Sequence, residues 1–139
     1  MKRRSAAVLG VAATVVAVGV APAASAQPGT YNPVAQYLRT AGNVRCVVTK
    51  EAAACERPGG FVGAPAGQPV ASVAADGTFS WVEGGIGPTS GEEVTMVNPQ
   101  PYRYHGWGLL LTIEGTRLTN IKSVHGMNVS IDGTTVTPY

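Results

Sequence analysis

Hydrophobic and polar residues alternate along most of the second half of the chain, and this period of two is typical of strands with one buried face. Glycine-containing turns separate the alternating runs, and the flanking glycines leave no room for a helix of useful length. We therefore predict about eight or nine short strands in a mostly β fold, a small antiparallel β-sandwich or β-barrel with one hairpin disulfide. The runs lie at 70–82, 92–97, 107–113, 116–121, 127–131 and 134–137.

The turns between these runs have recognisable sequences. Asp76-Gly77 predicts a tight hairpin in which both turn residues have positive φ, and it places Phe79 and Trp81 on one face of the second strand. A further hairpin is predicted at Asp132-Gly133. The apolar triplet Leu109–Leu111 fits a central strand that is buried on both faces.

The two cysteines, Cys46 and Cys55, lie at symmetric distances from Lys50-Glu51. A chain that folds back at this dipeptide places the two sulfur atoms opposite each other on a non-hydrogen-bonded pair, where a bridge is easiest to close. The loop can contain two or four residues with the same symmetry. A redox pair favours a shorter Cys-x-x-Cys spacing, and a metal site needs more ligands, so we predict a structural disulfide.

The N-terminus has the pattern of an export signal. A basic start at Lys2, Arg3 and Arg4 precedes an apolar stretch of about fifteen residues, and Ala24-Ser25-Ala26 matches a signal-peptidase site. The stretch is shorter than the roughly twenty residues of a membrane span, so no stable span is expected after cleavage. We predict a signal peptide at 1–26 and a secreted or cell-envelope protein, where a disulfide persists.

Removing the predicted signal changes the charge balance. The chain has ten basic and eight acidic residues, and three of the basic residues lie in the signal, which leaves seven against eight. Nucleic-acid binding needs concentrated lysine and arginine to neutralise phosphates. The near-neutral remainder therefore excludes nucleic acid as a partner.

The start of the mature chain is less regular. Residues 27–41 are predicted to form an N-terminal arm, and residues 42–139 a single β-rich domain. Within the arm, residues 34–40 could make a helical turn or an opening strand, and the pattern does not decide between them. Residues 57–69 are rich in glycine and proline and predict a long connecting loop.

Several short segments stand in a specific order along the mature chain: Gly42–Cys46 with Cys55-Glu56, Phe61–Pro65, Asp76–Trp81, Gly106-Trp107, Thr116–Asn120 and His125–Ser130. Together they resemble a group of mycobacterial and other actinobacterial exported proteins of unknown function. The resemblance spans most of the mature chain and implies secretion, a small disulfide-bonded β domain and an actinobacterial source. It implies no catalytic residues and no activity.

Catalytic sequence patterns are weak in this chain. A small secreted hydrolase could use His125 or His105 as its base, with Ser123 or Ser130 as nucleophile and Glu114 as the orienting group. For His125, a turn residue whose imidazole caps a main-chain carbonyl is the more common role. No Gly-x-Ser-x-Gly motif occurs in the sequence.

Carboxylate pairs and metal sites are equally poorly supported. Adjacent Glu92 and Glu93 point to opposite faces of a strand and cannot act as a pair, so we interpret them as a solvated strand start. The spacing of His105, His125, Met96 and Met127 matches no metal motif. We predict no metal and no cofactor.

The segment from Asn98 to Trp107 is the strongest candidate for binding. Aromatic rings with polar tips can stack on a sugar or a peptide, and a strand here would put Tyr102 and Tyr104 on one face. The alternative is that the tyrosines and the tryptophan close the core. The candidate residues are Tyr102, Arg103, Tyr104, His105 and Trp107.

These observations favour a secreted, non-enzymatic β domain that binds an envelope glycan, a peptide or a partner protein. The expected partners are a cell-envelope component or an extracellular protein. The alternative functions are the small hydrolase based on His125 or His105, and a structural or antigen-like protein without a small ligand.

Overall fold

The computed structural model describes residues 34–89 and 91–139, so the predicted signal at 1–26 lies outside the described residues. Those residues form eleven strands and one 3-10 turn at Ala41–Asn43, and they contain no α-helix. The strands are β1 (Gln36–Thr40), β2 (Val44–Val48), β3 (Ala52–Glu56), β4 (Val70–Ala74), β5 (Phe79–Val82), β6 (Glu93–Thr95), β7 (Pro101–Tyr104), β8 (Trp107–Thr112), β9 (Gly115–Asn120), β10 (Gly126–Ser130) and β11 (Val136–Pro138).

The strands form two sheets. Sheet A has the order β5-β4-β3-β2-β1-β6, and sheet B has the order β11-β10-β9-β8-β7. Neighbouring strands are antiparallel except β6, which runs parallel to β1. The chain passes from sheet A to sheet B between β6 and β7, so the described fold is a β-sandwich rather than a closed barrel.

A single hydrophobic core lies between the sheets. Sheet A contributes Leu38, Val48 and Val73, and sheet B contributes Leu118 and Met127, all of them fully buried. The alternation of buried and half-buried residues along β2 and β8 follows the period expected of sheets with one face in the core.

The predicted cysteine hairpin is confirmed. Cys46 and Cys55 are paired residues of β2 and β3, their Cα atoms are 4.1 Å apart, and the sulfur atoms form a disulfide. The main-chain N–H of Thr49 donates to the carbonyl of Ala52 at 2.9 Å, so the loop is the two-residue alternative, Lys50-Glu51. Both cysteines are buried in the core face of sheet A.

Three predictions need correction. The arm predicted at 27–41 is too long, because β1 starts at Gln36 and pairs with β2 and β6 inside sheet A. The hairpin at Asp76-Gly77 forms, but only Gly77 has positive φ, since the loop has three residues and the Asp76 carboxylate accepts the N–H of Thr78. Leu110 lies half-buried on the outer face of sheet B, because only one face of β8 contacts the core.

The outer face of sheet A is partly covered by the connection from β5 to β6. Arg45 donates to the carbonyl of Gly87 at 2.7 Å and forms ion pairs with Glu56 and Glu93. The Glu56 carboxylate also accepts the main-chain N–H of Ile86 at 3.0 Å. Glu93 is therefore half-buried in an ion-pair network and is not the solvated residue predicted, whereas Glu92 is exposed.

Candidate functional site

Four connections meet at one end of the sandwich. They are the turns β2–β3, β4–β5 and β7–β8 and the loop β9–β10. Between them lies a cleft of about 1020 Å³, which we call the loop-end cleft. It is lined by Lys50, Ala75, Asp76, Arg103, His105, Gly106, Asn120, Ile121, Lys122 and Ser123.

The β7–β8 turn places His105 in the loop-end cleft. His105 and Gly106 both have positive φ, 52° and 86°, as a two-residue type I′ turn requires. Histidine tolerates this conformation better than most residues. The carbonyl of Gly106 accepts the N–H of Ile121 at 2.9 Å, which joins this turn to the β9–β10 loop.

The β9–β10 loop is held by a buried asparagine. The Asn120 side-chain carbonyl accepts the main-chain N–H groups of Lys122 and Ser123 at 3.1 and 3.0 Å. Val124 follows with φ of 66°, a costly conformation for a β-branched residue, and its side chain is 67% exposed. The loop therefore displays Ile121 and Val124, two exposed apolar side chains, beside Lys122.

The charge of the cleft is predominantly positive. Among the described residues the ion pairs involve Arg39, Arg45, Glu56 and Glu93, none of which lines the cleft. Lys50, Arg103 and Lys122 line it without a carboxylate partner in that part of the chain. Three unpaired cations beside an apolar wall favour an anionic ligand with an apolar part.

Among the described residues, Asp76 is the one acidic residue that lines the cleft. Its pKa is lowered, mainly because its carboxylate accepts hydrogen bonds from the main chain and the side chain of Thr78, with a smaller effect from His125. The carboxylate is thus held in its own turn and stays ionised. It leaves the lining with three cations against one anion.

His125 has the structural role that its turn position predicted. Its Nδ1 lies 3.1 Å from the main-chain oxygen of Tyr139, and its ring packs over Gly77, where an added Cβ would lie 2.7 Å from Cγ. The contact between His125 and Ser123 is from the main-chain N–H to Oγ at 3.3 Å, and the imidazole takes no part in it. This arrangement joins sheet A to the C-terminal strand and does not form a base–nucleophile pair.

The predicted aromatic segment divides between the core and the cleft. Tyr102 and Tyr104 share a face and stack with ring centroids 6.5 Å apart, but that face is the core side of β7, where both are half-buried. Burial is the main cause that raises the pKa of Tyr104. Ligand binding by the two tyrosines stays a prediction, whereas Arg103 and His105 line the cleft.

Trp107 is a core residue and not a binding residue. Its side chain is 0% exposed, and its indole N–H donates to the carbonyl of Thr49 at 2.9 Å. The hydrogen bond anchors sheet B to the cysteine hairpin. The prediction that Trp107 contacts a ligand is wrong, because the ring has no exposed surface.

Within residues 34–89 and 91–139, no group of three or more histidine, cysteine, aspartate and glutamate side chains is placed to hold a metal ion. In the same residues, no helix is both long enough and apolar enough to span a membrane.

Sequence reasoning missed most of the cleft. Lys50 was identified only as a turn residue, and Ile121 and Lys122 only as the end of a strand and the loop after it. Each of these residues is far in sequence from Arg103, and only the pairing of the strands brings their turns to one end of the sandwich.

No protein-family model, curated protein or solved structure matches this chain. The function is therefore argued from the geometry of the site. The actinobacterial resemblance stays a prediction.

Proposed function

We propose that this chain is an exported, non-enzymatic β domain that binds an anionic ligand in the loop-end cleft. The observation that carries the proposal is the cleft of about 1020 Å³ lined by Lys50, Arg103 and Lys122, none of which has a carboxylate partner among the described residues. A cleft of this size suits a ligand of several rings or residues.

Electrostatics and apolar contact have separate roles in this proposal. The three cations attract and orient an anionic group, and their attraction weakens with salt because they are exposed. The apolar wall that includes Ile121 supplies a contact that salt does not weaken. A ligand with a carboxylate beside an apolar face uses both parts of the cleft.

A binding role is also consistent with the surroundings of His125. The Ser123 hydroxyl oxygen accepts the main-chain N–H of His125, and the imidazole takes no part in that contact. A serine hydrolase needs a hydroxyl within hydrogen-bond reach of the imidazole nitrogen that takes its proton. The disulfide is of the kind that persists outside the cytosol and supports export to the envelope or beyond.

Phenyl β-D-glucuronide and phenyl β-D-glucoside form a matched pair of probes, because they differ only in the carboxylate. We expect the oxidised protein to bind the glucuronide more tightly by about tenfold at low salt, which corresponds to about 1.4 kcal/mol. The double variant Lys50→Gln, Lys122→Gln is expected to abolish that preference in titration calorimetry.

The control variant is Arg39→Gln, which removes a positive charge that is paired with Glu93 outside the cleft. It should keep the preference of the wild-type protein. Equal affinity for the two probes, or an equal loss of preference in the control, would refute the proposed site.

A further inference from the structure

Gly108 is a glycine that the backbone does not require. It lies inside β8 between paired strands β7 and β9, and its φ is not in the left-handed region. An added Cβ would meet Ile121 Cγ1 and the carbonyl of Thr119 at 3.9 Å, which is ordinary contact. Glycine weakens a strand interior, so its presence often marks a close approach of another molecule.

Other glycines of sheet B have a structural reason. A Cβ on Gly115 would overlap the carbonyl of Val129, and a Cβ on Gly126 would overlap the carbonyl of Leu118. Gly108 has no such conflict, so the backbone would accept a Cβ there. What it does provide is space on the outer face of sheet B.

That space is the floor of a groove of about 460 Å³, which we call the outer-face groove. Arg103 and Thr119 flank Gly108 in register on the two neighbouring strands. Leu110 and Arg117 form the next pair along the sheet and also line the groove.

The groove continues from the loop-end cleft. Arg103 lines both. Ile121 lines the cleft, and its Cγ1 would lie 3.9 Å from a Cβ added at Gly108. A ligand that is long enough can therefore extend from the cleft past Arg103 and over Gly108.

The groove is cationic, with hydroxyl and apolar parts. Arg117 lies over the ring of Tyr139, 4.3 Å from its centroid, and among the described residues neither Arg103 nor Arg117 forms an ion pair. The guanidinium groups suit carboxylates. The Thr119 hydroxyl is hydrogen-bonded to the Tyr139 hydroxyl and keeps an acceptor lone pair for a sugar hydroxyl. Leu110 offers an apolar surface for the C–H face of a sugar ring.

The position of the groove favours a glycan over a peptide. It lies on the outer face of β7, β8 and β9, and its floor at Gly108 belongs to β8, which is hydrogen-bonded on both sides. An extended peptide that joined the free edge of β7 would widen the sheet and would not cover Gly108. Sugar rings recognise such a face through hydroxyls and carboxylates and need no main-chain partner.

We propose that the outer-face groove is a subsite for linked acidic sugars, with Arg103 and Arg117 binding their carboxylates and Gly108 admitting the ring. The subsite extends the proposed function. It rests on that function because the negative charge of the ligand is argued there. It names the ligand class as an acidic polysaccharide.

The test compares a hexamer of linked galacturonic acid with phenyl β-D-glucuronide on the Gly108→Val protein, which fills the groove without backbone conflict. We expect the hexamer to lose about tenfold in affinity and the monomeric probe to bind as before. A valine placed on the outer face of sheet A by Ser72→Val is the control and should change neither. Thermal melting verifies folding, and Gly108→Ala repeats the test with a smaller side chain.

The outcomes separate the subsite from the cleft. The proposed subsite would be overturned if the hexamer had the same affinity for Gly108→Val as for the wild-type protein. It would also be overturned if the hexamer bound the wild-type protein no more tightly than the monomeric probe. Hexaglutamate is the peptide counterpart of the sugar hexamer. If it bound as tightly as the hexamer and lost as much affinity in Gly108→Val, the groove would be a peptide site and the proposal would be overturned. A third result is that the hexamer binds the wild-type protein and loses affinity in Gly108→Val, while phenyl β-D-glucuronide binds neither protein. That result would support the subsite in the outer-face groove and refute the proposed site in the loop-end cleft.

Discussion

Removing the disulfide tests how far a short covalent loop stabilises this small sandwich. Cys46 and Cys55 are separated by 9 residues in sequence, and the chain-entropy relation for a loop of this length gives about 2.6 kcal/mol at 25 °C. In the core face of sheet A, Cys46 pairs with Leu38 and Cys55 pairs with Ala71 on the neighbouring strands. The double variant Cys46→Ala, Cys55→Ala therefore also removes two buried sulfur atoms. At about 0.8 kcal/mol for each buried sulfur, we expect a total loss of about 4 kcal/mol in the free energy of unfolding.

Urea denaturation of three samples separates the two contributions. The reduced wild-type protein loses only the cross-link, and we expect it to lie about 2.6 kcal/mol below the oxidised protein, with the double variant below both. For a domain of this size the loss corresponds to a fall of about 10 °C or more in Tm. A reduced protein within about 0.5 kcal/mol of the oxidised one would refute the entropic reasoning.

Three further predictions test the fold away from the cleft. Gly42→Ala should lower the free energy of unfolding in urea by more than about 2 kcal/mol, because φ of Gly42 is 71° and the added Cβ overlaps the main chain of Asp132. Gly59 is the control, since its φ is also positive but its surroundings are open, and Gly59→Ala should lower the same quantity by about 1 kcal/mol. The pKa of Asp132 is lowered to about 2, chiefly by the hydrogen bond from the Ser130 side chain, so the ionised carboxylate stabilises the fold above the ordinary aspartate pKa and this stabilisation is lost as the pH falls from about 4 to 2. The difference in Tm between the wild-type protein and Asp132→Ala should therefore shrink over that pH range. A difference in Tm that stays constant over the range would contradict this prediction. Arg45→Ala should speed hydrogen exchange at 83–89, and unchanged exchange there would show that the ion-pair network does not hold this segment.

Local patterns predicted the parts of the fold that depend on neighbours in sequence. The pairing of Cys46 with Cys55 follows from the position of one turn, and the strand at Trp107–Thr112 follows from a short apolar run between flanking glycines. The three-residue loop at Asp76 was mistaken for a two-residue one. The same Asp-Gly dipeptide suits both loops, and the choice depends on the register of β4 with β5.

Long-range pairing determined the rest. Nothing local in residues 34–40 shows that β1 would lie between β2 and β6, because the β6 contact is parallel and distant in sequence. The cleft depends in the same way on four turns that share one end of the sandwich. Arg103 and His105 were identified from their aromatic neighbours, while Lys50 and Lys122 had no local feature that marked them.

The most direct test of the central claim is a map of where the anionic probe binds. Titration of the ¹⁵N-labelled, oxidised protein with phenyl β-D-glucuronide should shift the amide signals of Gly106, Ile121, Lys122 and Ser123, with Ala75 on the opposite wall of the cleft. The neutral glucoside should cause smaller shifts at the same positions. Shifts centred on the β5 edge or on residues 57–69, with the cleft amides unmoved, would contradict the account.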